Sequence, residues 1–173
     1  QQLAEVGKLR ISGCDRNRVV PDQRQVVQVL ALAVAIPQPA KDAEHLDVTL
    51  KAHQVKDVLP DMRALFGPDT VVVTMQNGIP WWYFHKLAGP WEGRAVDSVD
   101  PGGIVAANIE VERVIGSVVY PASELVAPGV IKVIEGNRFS LGEPDNSKSE
   151  RALRLSEAMI RAGFKSPVST DLR

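Results

Sequence analysis

The stretch Leu46-Asp47-Val48-Thr49-Leu50, then Lys51 to Phe66, then Thr70-Val71-Val72-Val73-Thr74-Met75 decides the fold. Its first part is a compact β-prone run. The middle places Val55, Val58, Leu59, Met62 and Leu65 close to helical spacing, which predicts an amphipathic helix. Pro60 falls inside that pattern and is expected to bend or interrupt it. Gly67-Pro68-Asp69 supplies a stop and a turn, and the third part reads as a strand buried on both faces. Two apolar strands joined by one helix make a parallel βαβ unit, so the chain is expected to be α/β.

Downstream, the loop Asn77-Gly78-Ile79-Pro80 leads into the aromatic patch Trp81, Trp82, Tyr83, Phe84. Arg94 to Asn108 is interrupted by Gly and Pro and reads as irregular. Arg113 to Tyr120 is a further strand candidate. Val130 to Ile134 and Arg138 to Leu141 read as an antiparallel pair around the turn Glu135-Gly136-Asn137. Ser149 or Ser147 can cap a helix from Glu150 to Ala162 with apolar Ala152, Leu153, Leu155, Met159 and Ile160, ended by Gly163.

Upstream, Leu9 to Val20 reads as a hairpin, two short β-prone runs around a Gly13/Asp15/Asn17 turn. The apolar segment Gln23 to Ala35 fits a buried strand or a helix equally, and Pro37 and Pro39 end it either way. The sum is a single α/β domain with antiparallel strands added late in the chain.

With 173 residues, 45% apolar and 24% charged, the chain lies in the ordinary globular range and has room for one core. A formal net charge of -1 provides no field to gather nucleic acid or an anionic membrane, so small molecules are the expected partners. Val26 to Ile36 is far short of the roughly 20 residues of a membrane helix. The lone Cys14 makes no internal disulfide, which fits a reducing, cytoplasmic setting. His45, His53 and His85 show no ligand spacing, so no metal site is expected. Asp97, Asp100, Glu110 and Glu112 read as solvated loop carboxylates rather than an acid/base pair.

In an open parallel sheet ligands bind beyond the carboxyl ends of the strands, which directs attention to Lys51 and Asn77. Lys51 offers a cation to a phosphate or carboxylate. Asn77 both donates and accepts, and Gly78 lets the backbone approach a ligand. The plainer reading, a lysine at a helix start and a tight Asn-Gly turn, stays open beside this one. The aromatics Trp81 to Phe84 form either a packing cluster or a pocket wall.

At these residues a resemblance appears. Asp47-Val48-Thr49-Leu50-Lys51-Ala52-His53-Gln54 is similar to the lysine-containing strand end of ketopantoate reductases, and Val72-Val73-Thr74-Met75-Gln76-Asn77-Gly78 resembles their asparagine-glycine loop. Further landmarks follow in order: Arg113 to Tyr120, Ala127-Pro128-Gly129-Val130, Leu141-Gly142-Glu143-Pro144 and Ser169 to Arg173. The resemblance runs from Leu46 to the end of the chain, whereas Asp22 to Glu44 departs from the usual polar link.

The resemblance implies a partial Rossmann-like, doubly wound NADP-binding domain and the reduction of a 2-oxo acid, 2-dehydropantoate in the namesake, by NADPH. By position, Lys51, Gln54, Asn77, Gly78 and Ala122 would lie along the cofactor, with Asn77 also touching substrate. No GxGxxG turn occurs in the chain, and Gly102-Gly103 follows Pro101 rather than a strand. The resemblance therefore implies a glycine loop before Gln1 and a catalytic lysine after Arg173, so no catalytic residue is assigned here. A chain of this kind is expected to be inactive alone and to self-associate through an exposed sheet edge. The alternative is a non-catalytic Rossmann-like binding or assembly module.

Overall fold

The computed structural model describes residues 44–127 and 130–173. The expected hairpin of Leu9 to Val20, the apolar segment Gln23 to Ala35 and Pro128-Gly129 lie outside the described residues.

The βαβ unit is present. Strand β1 (His45–Val48) and strand β2 (Val71–Thr74) run parallel on either side of helix α1 (Val55–Arg63) in the chain, with Leu46 in register with Val72. Strand β3 (Val114–Val119) adds parallel to β2. Strand β6 (Phe139–Gly142) closes the row antiparallel to β3, giving the order β1-β2-β3-β6.

Both faces of this sheet are covered, which explains why its central strands are apolar without alternation. On one face Val48, Val72 and Val114 pack with Val55 and Leu59 of α1 and with Val105 of a short helix α2 (Ile104–Asn108). On the other, Val73, Ile115 and Leu141 meet Ala152, Leu155 and Met159 of helix α3 (Glu150–Arg161). Val72, Val73, Val114 and Ile115 are fully buried, each contributing about 1.5–3 kcal/mol of burial free energy. The doubly wound reading therefore holds. Ser149 caps α3 through a bond from the Ala152 amide, and Gly163 follows at φ +94°.

Three sequence readings need correction. Pro60 does not interrupt α1, which runs on to Arg63 with Leu59 and Met62 buried on either side of the proline. Arg94 to Asn108 is not wholly irregular. Asp100 accepts hydrogen bonds from the amides of Val105 and Ala106, both at 2.9 Å, and starts α2 after a turn in which Gly102 and Gly103 both have positive φ. Third, Val130 to Ile134 does not pair with Arg138 to Leu141. Strand β5 (Val130–Glu135) pairs antiparallel with strand β4 (Ala122–Ala127) as a separate ribbon, while β6 goes to β3. The turn at Gly136, φ +80°, releases the chain from the ribbon so that Leu141 can reach the core, a stronger demand than continuing an exposed hairpin.

Candidate functional site

The carboxyl ends of β1, β2 and β3 lie side by side, and two consecutive side-chain amides stitch them together. Gln76 Nε2 donates to the Leu50 carbonyl at 2.8 Å and ties the exit of β2 to that of β1. Asn77 ties the exit of β2 to β3. Its Nδ2 donates to the Val119 carbonyl at 2.8 Å and its Oδ1 accepts from the Val119 amide at 2.9 Å. An asparagine here mimics a further rung of a β ladder. One Nδ2 hydrogen and further acceptor capacity on Oδ1 remain for a ligand.

Gly78 follows at φ +119°, with nothing within 4 Å of where a Cβ would stand. Only glycine adopts that backbone without strain. Lys51 lies exposed just past β1. Its amide donates to Gln54 Oε1 at 3.2 Å, so the Gln54 carboxamide oxygen helps start the turn Ala52–Gln54. Ala122 opens β4, half-buried, opposite Glu135.

Asn77 and Gly78 line a small, open cleft at this edge of the sheet. Val55, Thr74, Pro80, Trp82, Val105 and Leu172 are among the other residues that line it. The structure thus brings Asn77 and Gly78 to a cleft, whereas Lys51, Gln54 and Ala122 are not among its lining residues.

Trp82 is the residue whose role the sequence left unassigned. Its ring lies over Gly116: a Cβ there would stand 2.8 Å from Trp82 Cζ2 and 2.6 Å from Leu172 Cδ2. A glycine in β3 is the condition for the indole to sit down on the sheet. The indole Nε1 is buried without a hydrogen-bond partner. The Ser117 hydroxyl is likewise buried and unpartnered, and its register partner Leu141 belongs to the core under α3. The sequence signal for Trp82 was the apolar patch beside the strand end, and only the packing singles out one of its aromatics.

The far end of the aromatic segment is anchored as well. Arg173 donates to the carbonyls of His85, at 2.7 Å, and Pro144, and Lys86 pairs with Asp145 at 3.2 Å. Hydrogen bonds from Ser147, with Lys86 adding, bring the Asp145 carboxyl down to about 2. Below β6, Glu143 is buried and bonded to Ser149 and Arg151, whose guanidinium also donates to the carbonyls of Glu112 and Val114. The bond to Glu143 raises the Arg151 pKa further. Among the described residues there is no group of His, Cys, Asp and Glu fit to hold a metal ion, and no helix long and apolar enough to cross a membrane.

Comparison with known proteins gives a consistent set of relatives. The family model for ketopantoate reductase PanE/ApbA matches residues 3–81. A 2-dehydropantoate 2-reductase from Mesorhizobium japonicum is 48% identical over 157 residues, covering 90% of this chain and 48% of the relative. The chain therefore spans about half the length of that curated relative. Both matches reach into the region before Leu46, where the sequence alone showed a departure.

Among solved structures, a candidate ketopantoate reductase from Ralstonia solanacearum MolK2 superposes with a TM-score of 0.71 at 34% identity, over 76% of this chain and 40% of that one. A D-mandelate dehydrogenase solved with NADH shares the fold, with a TM-score of 0.57 at 18% identity over 75% of this chain and 37% of that one.

Proposed function

Because this chain belongs, over the span it has, to the ketopantoate reductase family, we propose that the protein it represents reduces a 2-oxo acid to a 2-hydroxy acid with NADPH. The substrate best supported is 2-dehydropantoate, which the Mesorhizobium relative's name carries. Within that reaction this chain forms one wall of the nucleotide site.

The observation that carries the reading is the stitched strand end: Asn77-Gly78 held at the carboxyl edge of a parallel sheet, where both line a cleft. Ligands of doubly wound sheets bind at that edge. The residues present fit part of a dinucleotide. The clear space at Gly78 admits a ligand close to main chain, and exposed Lys51 offers a cation to a phosphate. Gln54 and Ala122 would complete the contacts along the cofactor, and Asn77 would hold both cofactor and substrate through its remaining amide capacity. The bound dihydronicotinamide supplies a hydride; the contribution of this chain is to position it and to exclude water.

The test is titration of the chain with NADPH, followed by assays of NADPH oxidation with 2-dehydropantoate and with other 2-oxo acids. Saturable NADPH binding that Lys51→Ala weakens supports the reading, and the absence of binding to chain shown to be folded overturns it. Turnover by the chain alone would show that it needs no further lysine or glycine loop.

A further inference from the structure

We infer that Arg173 is a positioning residue for the cleft: together with Leu172 it fixes where Trp82 stands, and with that the affinity of the cleft for its ligand. The placement of Trp82 stands on geometry alone. The effect on affinity rests on the reading that this cleft holds a dinucleotide.

The seat comes first. Gly116 of β3 and Gly142 of β6 are opposite one another in register, and two glycines side by side leave a bare strip across the sheet. Leu172 covers both. A Cβ at Gly116 would stand 2.6 Å from Leu172 Cδ2, and one at Gly142 would stand 3.2 Å from Leu172 Cβ. The Trp82 indole shares the Gly116 end of the strip, with Cζ2 at 2.8 Å from the same point. Leu172 and the indole thus fill one strip between them, and both side chains line the cleft.

The tie comes second. Arg173 Nη2 donates to the carbonyls of His85, at 2.7 Å, and Pro144. The His85 amide donates in turn to the Trp82 carbonyl at 2.9 Å, so a single turn joins the guanidinium to the residue on the strip. Hydrogen bonds from a charged donor are roughly twice as strong as neutral ones, and Arg173 Nε is shut off from solvent, so water is a poor substitute here. A second link crosses the same gap, Lys86 to Asp145 at 3.2 Å, but its side chains are 60% and 30% exposed and it contributes little. Lys86 itself has φ +49°, a conformation uncommon for a lysine that persists where the surroundings impose it. The end of the aromatic segment is thus held in place, and Arg173 does most of the holding.

The full chain is labelled with 15N at the tryptophan indoles, and the Trp82 signal is assigned from Trp82→Phe. Arg173→Met keeps an unbranched stem and removes the donors. It should move the Trp82 signal in the ligand-free chain and weaken NADPH binding about five- to tenfold at a temperature where the variant is folded. Arg173→Lys, which restores a cationic donor, should recover most of both. Met159→Ala, in the core under α3, is the control for stability alone: it should lower the urea midpoint and move neither readout. Leu172→Ala, which empties the strip beside the indole, should move the Trp82 signal too, and supplies the comparison if Arg173→Met does not fold.

An unmoved Trp82 signal in folded Arg173→Met, or in Leu172→Ala, would overturn the placement. Unchanged NADPH affinity in Arg173→Met, or an equal loss in Met159→Ala, would overturn the effect on binding. A wild-type chain that binds no NADPH would remove the proposed function and the effect on affinity with it, and the indole signal would still decide whether Arg173 places Trp82.

Discussion

Asn77 and Val119 exchange two hydrogen bonds, side-chain amide to main-chain peptide, at 2.8 and 2.9 Å, across 42 positions of sequence. Asn77→Ala removes both bonds and should cost about 1–2 kcal/mol of stability, read as a lowered urea midpoint at unchanged slope. The Val119 amide should exchange faster with solvent. Were Asn77 only a ligand contact, the midpoint would not move.

Gly116 is the second sensitive position. A Cβ there overlaps both Leu172 and Trp82, and Gly116→Ala should destabilise by about 1–3 kcal/mol as the indole is pushed off the sheet. Tryptophan fluorescence should shift to the red in the folded variant. An unshifted spectrum and wild-type stability would show that the indole does not rest where it is described.

Glu143 and Arg151 should behave as a unit. Arg151→Ala leaves a buried carboxylate with only Ser149 beside it and should cost roughly 3 kcal/mol. Pairing that change with Glu143→Gln should recover a large part of the loss, since the uncompensated charge is then gone. Simple addition of the two single effects, measured by chemical denaturation, would refute the coupling.

Acid should act on His45 at the start of β1. Burial lowers its pKa below 6.5, with Arg154 pushing the same way and Glu44 opposing. The unfolded chain therefore takes up this proton at a higher pH than the folded one. Stability from this residue is intact above about 6.5 and declines as pH falls below it, until the folded histidine is protonated too. His45→Gln should flatten the slope of stability against pH in that window. An unchanged slope would assign the acid sensitivity to other groups.

What could be read from the sequence was what repeats or punctuates. The β1-α1-β2 unit was legible because Val71 to Val73 are buried on both faces and α1 keeps its spacing through Pro60. The end of α3 was legible from Gly163, and its start from Ser149. The partnership of β4 with β5 was not. Pairing is a long-range choice, and Arg138 to Leu141 is as good a partner for β5 by composition as Ala122 to Ala127 is. Pro128-Gly129, a two-residue link between apolar runs, was the available clue. Asp100 before Pro101 likewise announced α2 in a segment that its glycines made look irregular.

At the site, Asn77 and Gly78 were legible because an Asn-Gly pair after a buried strand is conspicuous. Gln76 and Trp82 were not, since a glutamine facing a neighbouring carbonyl and an indole lowered onto a glycine have no spacing of their own. Both depend on what the fold brings to them from elsewhere in the chain.

The stitches at Gln76 and Asn77 also divide the cleft mechanically. Spreading the three strand ends would break hydrogen bonds at 2.8 to 2.9 Å on both sides of β2, so this edge of the sheet behaves as a fixed bench. The next residue, Gly78, is a swivel with open space around it, and Ile79 beyond it is 57% exposed. The freedom left at the rim therefore ends within two residues, at Gly78 and Ile79, because Trp81 beyond them packs against the core on the α1 side.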